Sequence, residues 1–451
     1  MSKGLNSLGL VEAARDIANG VITSRELVDN CLERIEAFEP SIKAWAYIDA
    51  DYARKLADEA DQIRRSGKPT GALHGVPVGL KDIIDTKLVP TEFGSPIFKG
   101  RRPVDDAVIV SRLRQAGAVI MGKTVTAELA NMTPGPTTNP HNAEHTPGGS
   151  SSGSAAAVAS FMVPGAVGTQ TGGSVIRPAS FCGVYGYKPS FGTLPRTGVL
   201  TQSRRLDQLG TFGRSLADVA LLARVMMGTD AGDPDTLPER PLPSLLQAAL
   251  EGPPMEPKVA FLTAPYQSKA EPSTQEAFDE LHDVLVEAHG DRIGRVELTP
   301  SFDAALDYHR TVMQSEISQT YSPLLERYPG QISSELTAYI EGGKTIAAVD
   351  YLNAVDQKIH LTDILNELAF EEFDAVIAPA ATGEAPSGLG STGDPVFCSL
   401  WSFLGLPAVT LPMMQGPNGL PLGVQLIGPR NGDQQLMQVA RWLEASLEDI
   451  E

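Results

Sequence analysis

The N-terminal part of the chain carries apolar residues at helical spacing. This pattern predicts a helix over residues 7–15, a second helix that begins after Thr23, and a third over residues 49–66. Thr23 and Glu26 have the spacing of a capping box, in which each side chain binds the backbone N–H of the other residue. The chain is therefore predicted to open with helices.

From Gly71 onwards, short apolar runs of strand length alternate with helical patterns. The predicted strands are residues 76–85, 118–122, 163–169, 258–262, 374–379, 408–412 and 423–428. The predicted helices are residues 108–115, 155–161, 274–289, 302–325 and 433–447. This alternation indicates an α/β fold, in which helices cover both faces of a central sheet.

Three segments rich in turn-forming or acidic residues interrupt the alternation. Residues 133–154 and 381–395 are rich in glycine, proline and serine and are predicted to be loops. Residues 230–257 are rich in proline and acidic residues and are predicted to cross the surface between two halves of the chain. Loops of this length in a compact domain often carry function.

The composition narrows the range of partners. Of the 451 residues 42% are hydrophobic and 20% charged, as in a soluble globular protein, and the formal net charge is −19. Such a surface repels nucleic acid phosphates and anionic lipids, so neither nucleic acid nor a membrane is predicted as a partner. Three widely spaced cysteines suit a reducing compartment. With no signal-peptide pattern and no apolar run of about 18 residues, the predicted location is the cytoplasm.

Two clusters of glycine and serine stand out, at residues 146–154 and 168–174. A flexible linker is the simplest interpretation of this composition, but a linker is not expected inside an alternating apolar pattern. Glycines before a serine allow tight turns whose N–H groups converge on an anion. Acyl transfer needs this arrangement, because a serine attacks a carbonyl whose oxygen becomes negative. Gly172 and Gly173, immediately before Ser174, are suited to supply the N–H donors.

A serine nucleophile needs a base, and histidine is the usual one. None of the seven histidines lies in an evident motif with an acid. His141 and His145 have the i, i+4 spacing of a zinc-binding pair, but prolines flank the segment and argue against a helix there. Neither a histidine triad nor a metal site is therefore predicted.

Lys81 is the better candidate for the base. It stands among apolar residues, and burial disfavours the ammonium form and lowers the pKa of a lysine. A neutral lysine can then accept a proton. A strand-end lysine paired with Asp82 or Asp85 is equally consistent with the local sequence.

A nucleotide-binding pattern also occurs but is rejected. Residues 117–124 satisfy G-x-x-x-x-G-K-[ST], the pattern of a phosphate-binding loop. The four residues between the glycines are Ala, Val, Ile and Met, which predict a buried strand instead of a polar loop.

The serine and lysine motifs together resemble the amidase signature family. The matching segments are residues 75–83, 122–124, 148–154, 168–179, 183–189 and 419–427. The spacing of Ser150 and Ser174 is the spacing of that family, and the resemblance covers roughly residues 7–445.

The resemblance implies a role for each matching residue. Ser174 would be the nucleophile, and Lys81 would be the base and later the proton donor to the leaving amine. Ser150 would relay protons between them, and the peptide bond before or after Ser150 would be cis. The N–H groups of Thr171, Gly172 and Gly173 would bind the oxyanion. Ser151 would support this network by hydrogen bonding.

The resemblance also implies the architecture and the partners. The expected fold is a single α/β/α domain over residues 1–451 around a large mixed sheet, with N-terminal helices at about 7–66, a signature core at about 71–215 and a C-terminal half at about 258–447. A small-molecule amide substrate is expected, esters and carbamates are further candidates, and no cofactor or metal is expected. A homodimer is compatible with the family.

Two departures from the common family pattern bear on the substrate. Gln170 stands where many members have aspartate, and Arg177 lies one residue later than usual, as in the malonamidase branch. In that branch the arginine holds a substrate carboxylate, a role suited to its planar fork. A bracing role for Arg177 in the loop is an equal alternative. The segments expected to complete the pocket are Met132, 196–209 and 397–401, which favour a larger apolar amide as much as a small diacid amide.

Two further functions compete with a stand-alone amidase. The first is the glutaminase subunit of a tRNA transamidation complex, against which the position of Arg177 and the chain length argue. The second is a non-catalytic binding protein that kept the fold, against which the presence of Lys81, Ser150 and Ser174 argues.

Overall fold

The computed structural model describes residues 4–236 and 242–448. The α-helices in these ranges are α1 (Leu10–Ala18), α2 (Ser24–Ile42), α3 (Ala50–Arg65), α4 (Val108–Gln115), α5 (Ser152–Ala159), α6 (Ile176–Cys182), α7 (Leu216–Met226), α8 (Leu245–Glu251), α9 (Pro272–His289), α10 (Ala305–Arg327), α11 (Ser334–Gly343), α12 (Ala348–Leu365), α13 (Val396–Leu404) and α14 (Asp433–Glu448). The strands are β1 (Trp45–Ile48), β2 (Pro77–Lys81), β3 (Val119–Thr124), β4 (Gly165–Gln170), β5 (Tyr185–Lys188), β6 (Gln208–Gly213), β7 (Val259–Thr263), β8 (Ile293–Glu297), β9 (Ala375–Pro379), β10 (Ala408–Gln415) and β11 (Pro421–Ile427).

These strands form one mixed sheet that runs through both halves of the chain. Their order is β1-β3-β2-β4-β6-β5-β10-β11-β9-β7-β8. The strands β3, β2 and β4 are parallel to one another, as are β9, β7 and β8. Antiparallel pairs join these two groups through β6, β5, β10 and β11. The predicted mixed α/β fold is confirmed.

Both faces of the central strands are covered. Every residue of β2, β3, β4, β6 and β9 is buried. Because successive side chains of a strand point to opposite faces, complete burial means that elements pack on both sides. Helices supply buried apolar residues to the core, among them Leu10 of α1 and Trp401 of α13.

Within the described residues, none of the helices is long and apolar enough to span a bilayer.

The second and third N-terminal helices begin within one residue of the predicted positions, whereas the first begins at Leu10, three residues later than predicted. The Thr23 hydroxyl accepts a hydrogen bond from the backbone N–H of Glu26 at 3.1 Å, and the Glu26 carboxylate accepts one from the N–H of Thr23 at 2.8 Å. This pair is the predicted capping box at the start of α2. The helix α4 spans the same residues as its prediction.

Other boundaries differ from the predictions for local reasons. The strand predicted over residues 76–85 ends at Lys81, because the N–H groups of Ile83 and Ile84 turn back to the Lys81 carbonyl. The helix α5 begins three residues before the predicted position 155, inside the predicted loop. The predicted surface crossover contains the helix α8, and its residues 237–241 lie outside the described residues.

Several elements, most of them short, were not predicted. They are β1, β5, β6, β8, α6, α7, α8, α11, α12 and α13. The strand β3 is buried throughout, as expected for the segment that imitates a phosphate-binding loop.

The topology brings the ends of several strands together at one side of the sheet. Because β2 and β4 are parallel neighbours, their carboxyl ends, Lys81 and Gln170, lie at the same edge. The strand β6 runs antiparallel to β4 and starts there, with Gln208 opposite Gln170. Ligands of open α/β sheets bind beyond the carboxyl ends of such strands.

Candidate active site

The side chain of Lys81 is completely buried at the end of β2. Its Nζ donates hydrogen bonds of 2.8 Å to the hydroxyl of Ser150 and 2.8 Å to the hydroxyl of Thr169. Burial lowers the pKa of Lys81 to about 7, and the charge of Asp207 opposes this shift. Lys81 can therefore be neutral, and able to accept a proton, near neutral pH.

The two acids that follow Lys81 in the sequence have other partners. Asp82 lies 3.9 Å from the ammonium of Lys123, and Asp85 accepts a hydrogen bond of 2.6 Å from Arg101. No carboxylate among the described residues forms an ion pair with Lys81. The interpretation of Lys81 as one half of a strand-end ion pair is therefore wrong.

The first serine cluster forms the turn that leads into α5. The peptide bond between Gly149 and Ser150 is cis. The Ser151 hydroxyl donates to the carbonyl of Thr169 at 3.2 Å and accepts from its N–H at 3.3 Å. Ser151 thus holds the residue whose own hydroxyl binds Lys81, which is a geometric basis for its predicted supporting role.

The second serine cluster connects β4 to α6 and lines a cavity of about 510 Å³. In the described part of the chain, the N–H groups of Thr171, Gly172 and Gly173 have no hydrogen-bond partner. Their carbonyls are held from the other side: His309 donates to Thr171 at 3.0 Å, and Ser402 donates to Gly172 at 2.5 Å. This segment can therefore offer several N–H donors to an oxyanion.

Ser174 is half-buried and lines the same cavity. The structure joins Lys81 to Ser150 by a hydrogen bond. Across the described residues, the Ser174 hydroxyl forms none. Two of the three predicted catalytic side chains are thus in contact, and the third stands on the cavity wall without a bond to Ser150.

The wall of this cavity carries more positive than negative charge. Its lining includes the cationic side chains of Arg177, Lys269 and Arg310 and the acidic side chain of Asp394. Apolar side chains complete it, among them Leu306, Met313 and the predicted Met132. Of the predicted segment 196–209, only Gln202 lines this cavity, and of 397–401 only Ser399.

A comparison with known proteins identifies the family. A family model described as Amidase matches residues 26–437. The chain belongs to the amidase signature family. It is 34% identical to a glutamyl-tRNA(Gln) amidotransferase subunit of Synechococcus sp. (strain WH7803), over 97% of this chain and 96% of the relative. Because almost the whole relative is covered, the expectation that chain length argues against a glutaminase subunit is wrong.

Solved structures of amidase signature proteins share the fold. Native peptide amidase from Stenotrophomonas maltophilia is 28% identical, with a TM-score of 0.83 over 97% of this chain and 96% of that one. A structure described as a vestigial protein complex that reveals the origins of an s-triazine catabolic enzyme is 29% identical, with a TM-score of 0.89 over 98% of both chains. Family and fold together support amide hydrolysis as the chemistry of this chain.

Gln170, which departs from the common pattern of the amidase signature family, braces residues 171–173, named the oxyanion segment after their predicted role. Its Oε1 accepts hydrogen bonds from the N–H groups of Val175 at 2.8 Å and Ile176 at 3.0 Å. Its Nε2 donates to the Ser402 hydroxyl at 2.9 Å, and that hydroxyl in turn donates to Gly172. A carboxylate could accept the first two bonds but could not donate the third.

Arg177 is buried against the serine turns, with 4% of its surface exposed. Its guanidinium donates to the carbonyl of Thr392 at 2.8 Å and to that of Gly149 at 2.7 Å. Considering the described residues, Nη1 has no hydrogen-bond partner and no carboxylate pairs with this arginine. Arg177 therefore braces the loop and also keeps one donor free.

The two histidines considered for zinc bind different backbone carbonyls. The His141 ring lies 2.9 Å from the carbonyl of Cys182, and the His145 ring lies 2.6 Å from that of Ala385. The two rings are thus fixed by carbonyls of different segments, α6 for His141 and residues 381–395 for His145.

Sequence reasoning gave no individual role to Thr169, His309 or Asp207, although Thr169 lies in the matching segment 168–179 and Asp207 in the expected pocket segment 196–209. Thr169 could have been found from the parallel pairing of β2 with β4, which brings its hydroxyl beside Lys81. Asp207 directly precedes the short strand β6, whose mixed sequence is a weak signal on its own. His309 is 138 residues from its partner Thr171, and no local pattern connects them.

Proposed function

We propose that this chain hydrolyses amide bonds with Ser174 as the nucleophile, Ser150 as the proton relay and Lys81 as the base. The observation that carries the proposal is the 2.8 Å hydrogen bond between Lys81 and Ser150. Burial without a carboxylate partner favours the neutral amine, which is the form that accepts a proton.

In the acylation step, Ser174 Oγ forms a bond to the carbonyl carbon of the substrate. The hydroxyl proton passes to Ser150, and Ser150 passes its own proton to Lys81. The N–H groups of Thr171 and Gly172, with that of Gly173, bind the oxyanion in the tetrahedral intermediate.

Collapse of the intermediate breaks the bond between carbon and nitrogen. Lys81 returns its proton through Ser150 to the leaving nitrogen, which departs as a neutral amine or ammonia. Water then attacks the acyl-enzyme, loses a proton to the same relay and releases the acid and free Ser174. Esters and carbamates pass through equivalent intermediates, so the same site can serve them.

The charges of the cavity support a substrate that carries a carboxylate. Arg177 is a buried cation without an anionic partner, which is costly unless a ligand supplies one. Lys269 and Arg310 add positive charge, and Asp394 offsets part of it. This local sign is opposite to the net charge of −19. A cavity of about 510 Å³ has room for a small amide acid and also for a larger amide, and the malonamidase-like position of Arg177 favours the small acid.

The second candidate is a glutaminase-type subunit of a transamidation complex. The 34% identity to a glutamyl-tRNA(Gln) amidotransferase subunit over nearly the whole chain favours it. Glutamine itself is a small amide that carries a carboxylate, so the same cavity would serve. The two candidates differ in whether the single chain turns over without a partner, an acceptor or ATP.

A hydrolysis panel tests the proposal. The purified chain and Arg177→Ala are assayed side by side on malonamate, glutamine and neutral aryl amides, esters and carbamates. We expect the single chain to hydrolyse the carboxylate-bearing amides. In Arg177→Ala we expect their kcat/KM to fall about 10- to 100-fold, the worth of a hydrogen bond to a charged group. Neutral substrates should lose less, because they lose only the effect of the bracing bonds to Gly149 and Thr392.

Two results would redirect the assignment. Hydrolysis of neutral aryl substrates alone, with none of the carboxylate-bearing amides turned over by the wild-type chain, would leave Arg177 a bracing residue and the substrate a larger apolar amide or carbamate. A chain that is silent on the whole panel, yet labelled at Ser174 by a fluorophosphonate, would favour the transamidation candidate, which needs a partner.

A further inference from the structure

Asp207 lies where β6 begins, beside the oxyanion segment. Its carboxylate accepts a hydrogen bond of 2.6 Å from the Thr171 hydroxyl. It also accepts bonds from the backbone N–H groups of Gln202 at 2.8 Å and Ser203 at 3.0 Å. Three donors fix this carboxylate, and one of them belongs to the segment that would hold the oxyanion.

Asp207 directly precedes Gln208, which pairs with Gln170, the residue after Thr169, and the Thr169 hydroxyl binds Lys81. The carboxylate and the lysine therefore lie at the same edge of the sheet, beside the two strands that flank β4, and the charge of Asp207 raises the pKa of Lys81 against the lowering by burial.

Arg196, the cation that acts on Asp207, is already paired with Asp233 at 2.8 Å and Asp235 at 2.6 Å. Two carboxylates therefore balance Arg196. Burial raises the pKa of Asp207 to about 6, so the carboxylate is mostly charged near pH 7, where its charge acts on Lys81.

Other ionisable groups near this pair are engaged or neutral. On the neighbouring strand β3, Lys123 faces Asp82 at 3.9 Å. From α10, the Tyr321 phenol donates to the carbonyl of Leu129 at 3.3 Å, and burial raises its pKa. Tyr321 is therefore uncharged over the working range, and His309, whose pKa burial lowers to about 4, is neutral as well.

Asp207 also lines a second cavity, of about 340 Å³, which adjoins the cavity that Ser174 lines. Thr171 and Gln202 line both cavities, and Thr169, a hydroxyl partner of Lys81, lines the second. The carboxylate, the lysine partner and the oxyanion segment thus share one wall.

We propose that Asp207 is a positioning residue for hydrolysis: it anchors the oxyanion segment through Thr171, and its charge sets the lowest pH at which Lys81 can act as the base. The proposal rests on the proposed function, because it requires that Lys81 is the base. A negative charge stabilises the ammonium form of Lys81 and so raises its pKa. Removing that charge lowers the pKa, which extends the active neutral amine to lower pH.

The test is the pH profile of kcat/KM for wild type and Asp207→Asn. We expect the acidic limb of Asp207→Asn to move to lower pH by on the order of one pH unit, the low end of the effect that a nearby opposite charge has on a pKa. Asp207→Glu keeps the charge and can extend into the adjoining cavity, so its limb should stay at the wild-type position. Asp207→Ser, also neutral, replaces Asp207→Asn if that variant does not fold.

Two matched variants separate charge from anchoring. Thr171→Val removes the hydroxyl but leaves the carboxylate, so kcat should fall about tenfold with the limb in place. Asp218 is another buried carboxylate, which accepts from the N–H of Val11 at 2.9 Å and lies outside the site. The limb of Asp218→Asn should coincide with that of wild type.

The outcomes distinguish the two proposals. If kcat/KM of the wild type does not decrease as the pH is lowered through about 7, the role of Lys81 is contradicted, and with it the proposed function. If the acidic limb of the neutral Asp207 variants coincides with that of wild type, or if the limb of Asp207→Glu moves as far as theirs, the role of Asp207 is overturned and the proposed function is not affected.

Discussion

Two completely buried lysines stand on adjacent parallel strands of this protein, alike in burial and local sequence but different in the groups that surround them. Lys81 ends β2, and Lys123 lies in β3, opposite Leu80 and one residue from the partner of Lys81. Each follows apolar residues and a nearby glycine in the sequence. Burial lowers the pKa of both, to about 7 for Lys81 and about 8 for Lys123.

Their hydrogen-bond partners set them apart. Lys123 donates to the carbonyl of Ile84 and to the Thr91 hydroxyl at 2.9 Å, and Asp82 lies 3.9 Å away. A carbonyl and a carboxylate only accept, so they favour the ammonium form. Lys81 meets hydroxyls, which both donate and accept and therefore suit a neutral amine as well. Burial alone does not make a base; the chemistry of the neighbours decides.

Removing the Ser174 hydroxyl, whose proton Lys81 would accept through Ser150, should have the largest effect on activity. Ser174→Ala takes away the nucleophile, so we expect kcat to fall by roughly 10⁴-fold or more. The thermal midpoint should hardly change, since this half-buried hydroxyl has no hydrogen bond within the described residues. Substantial turnover by Ser174→Ala would mean that another group attacks the substrate.

Exchanging each lysine for methionine tests the comparison directly. Lys81→Met should lose about 10³-fold or more in kcat/KM near pH 7, because the relay has no base, while stability is kept or improved. Lys123→Met should instead lose about 3–5 kcal/mol of unfolding free energy, since Asp82 is left as an unpaired buried carboxylate.

Denaturant unfolding and kcat of the folded fraction separate these two effects. An inactive but stable Lys123→Met, or an active Lys81→Met, would break the distinction between the structural and the chemical lysine.

The smallest effect concerns the pH dependence of the wild-type enzyme. The base must be neutral to accept a proton, and the neutral fraction of Lys81 rises as the pH passes through its pKa of about 7. We therefore expect kcat/KM to rise with pH, with a midpoint near 7 and roughly tenfold less activity one unit below the midpoint. A midpoint near 10, the value of an exposed lysine, would contradict a buried neutral base.

Much of the fold followed from local patterns. The capping box of Thr23 and Glu26, the helix over residues 108–115 and the alternation of strands and helices depend on neighbours within a few positions. The helix α8 was not predicted, because its buried face is short and lies in a segment dominated by proline and acidic residues. Short strands such as β5 and β6 acquire their identity from pairing, which local patterns do not show.

The catalytic candidates came from long motifs, whereas their state came from contacts. The sequence by itself singled out Lys81, Ser150 and Ser174, since glycine, serine and lysine at these spacings resemble one family. It left open whether Lys81 pairs with an acid and whether Arg177 braces or binds. Only the tertiary structure decided the first question, because Asp82 and Asp85 turn to other cations.

Tertiary structure alone also brought in Thr169, His309 and Asp207, from strands and a helix far along the chain. The physical reason is the same in each case. A pKa and a free donor depend on desolvation and on which dipoles and charges surround a group in space. Local sequence fixes the identity of the group, and the packing of distant elements fixes its surroundings.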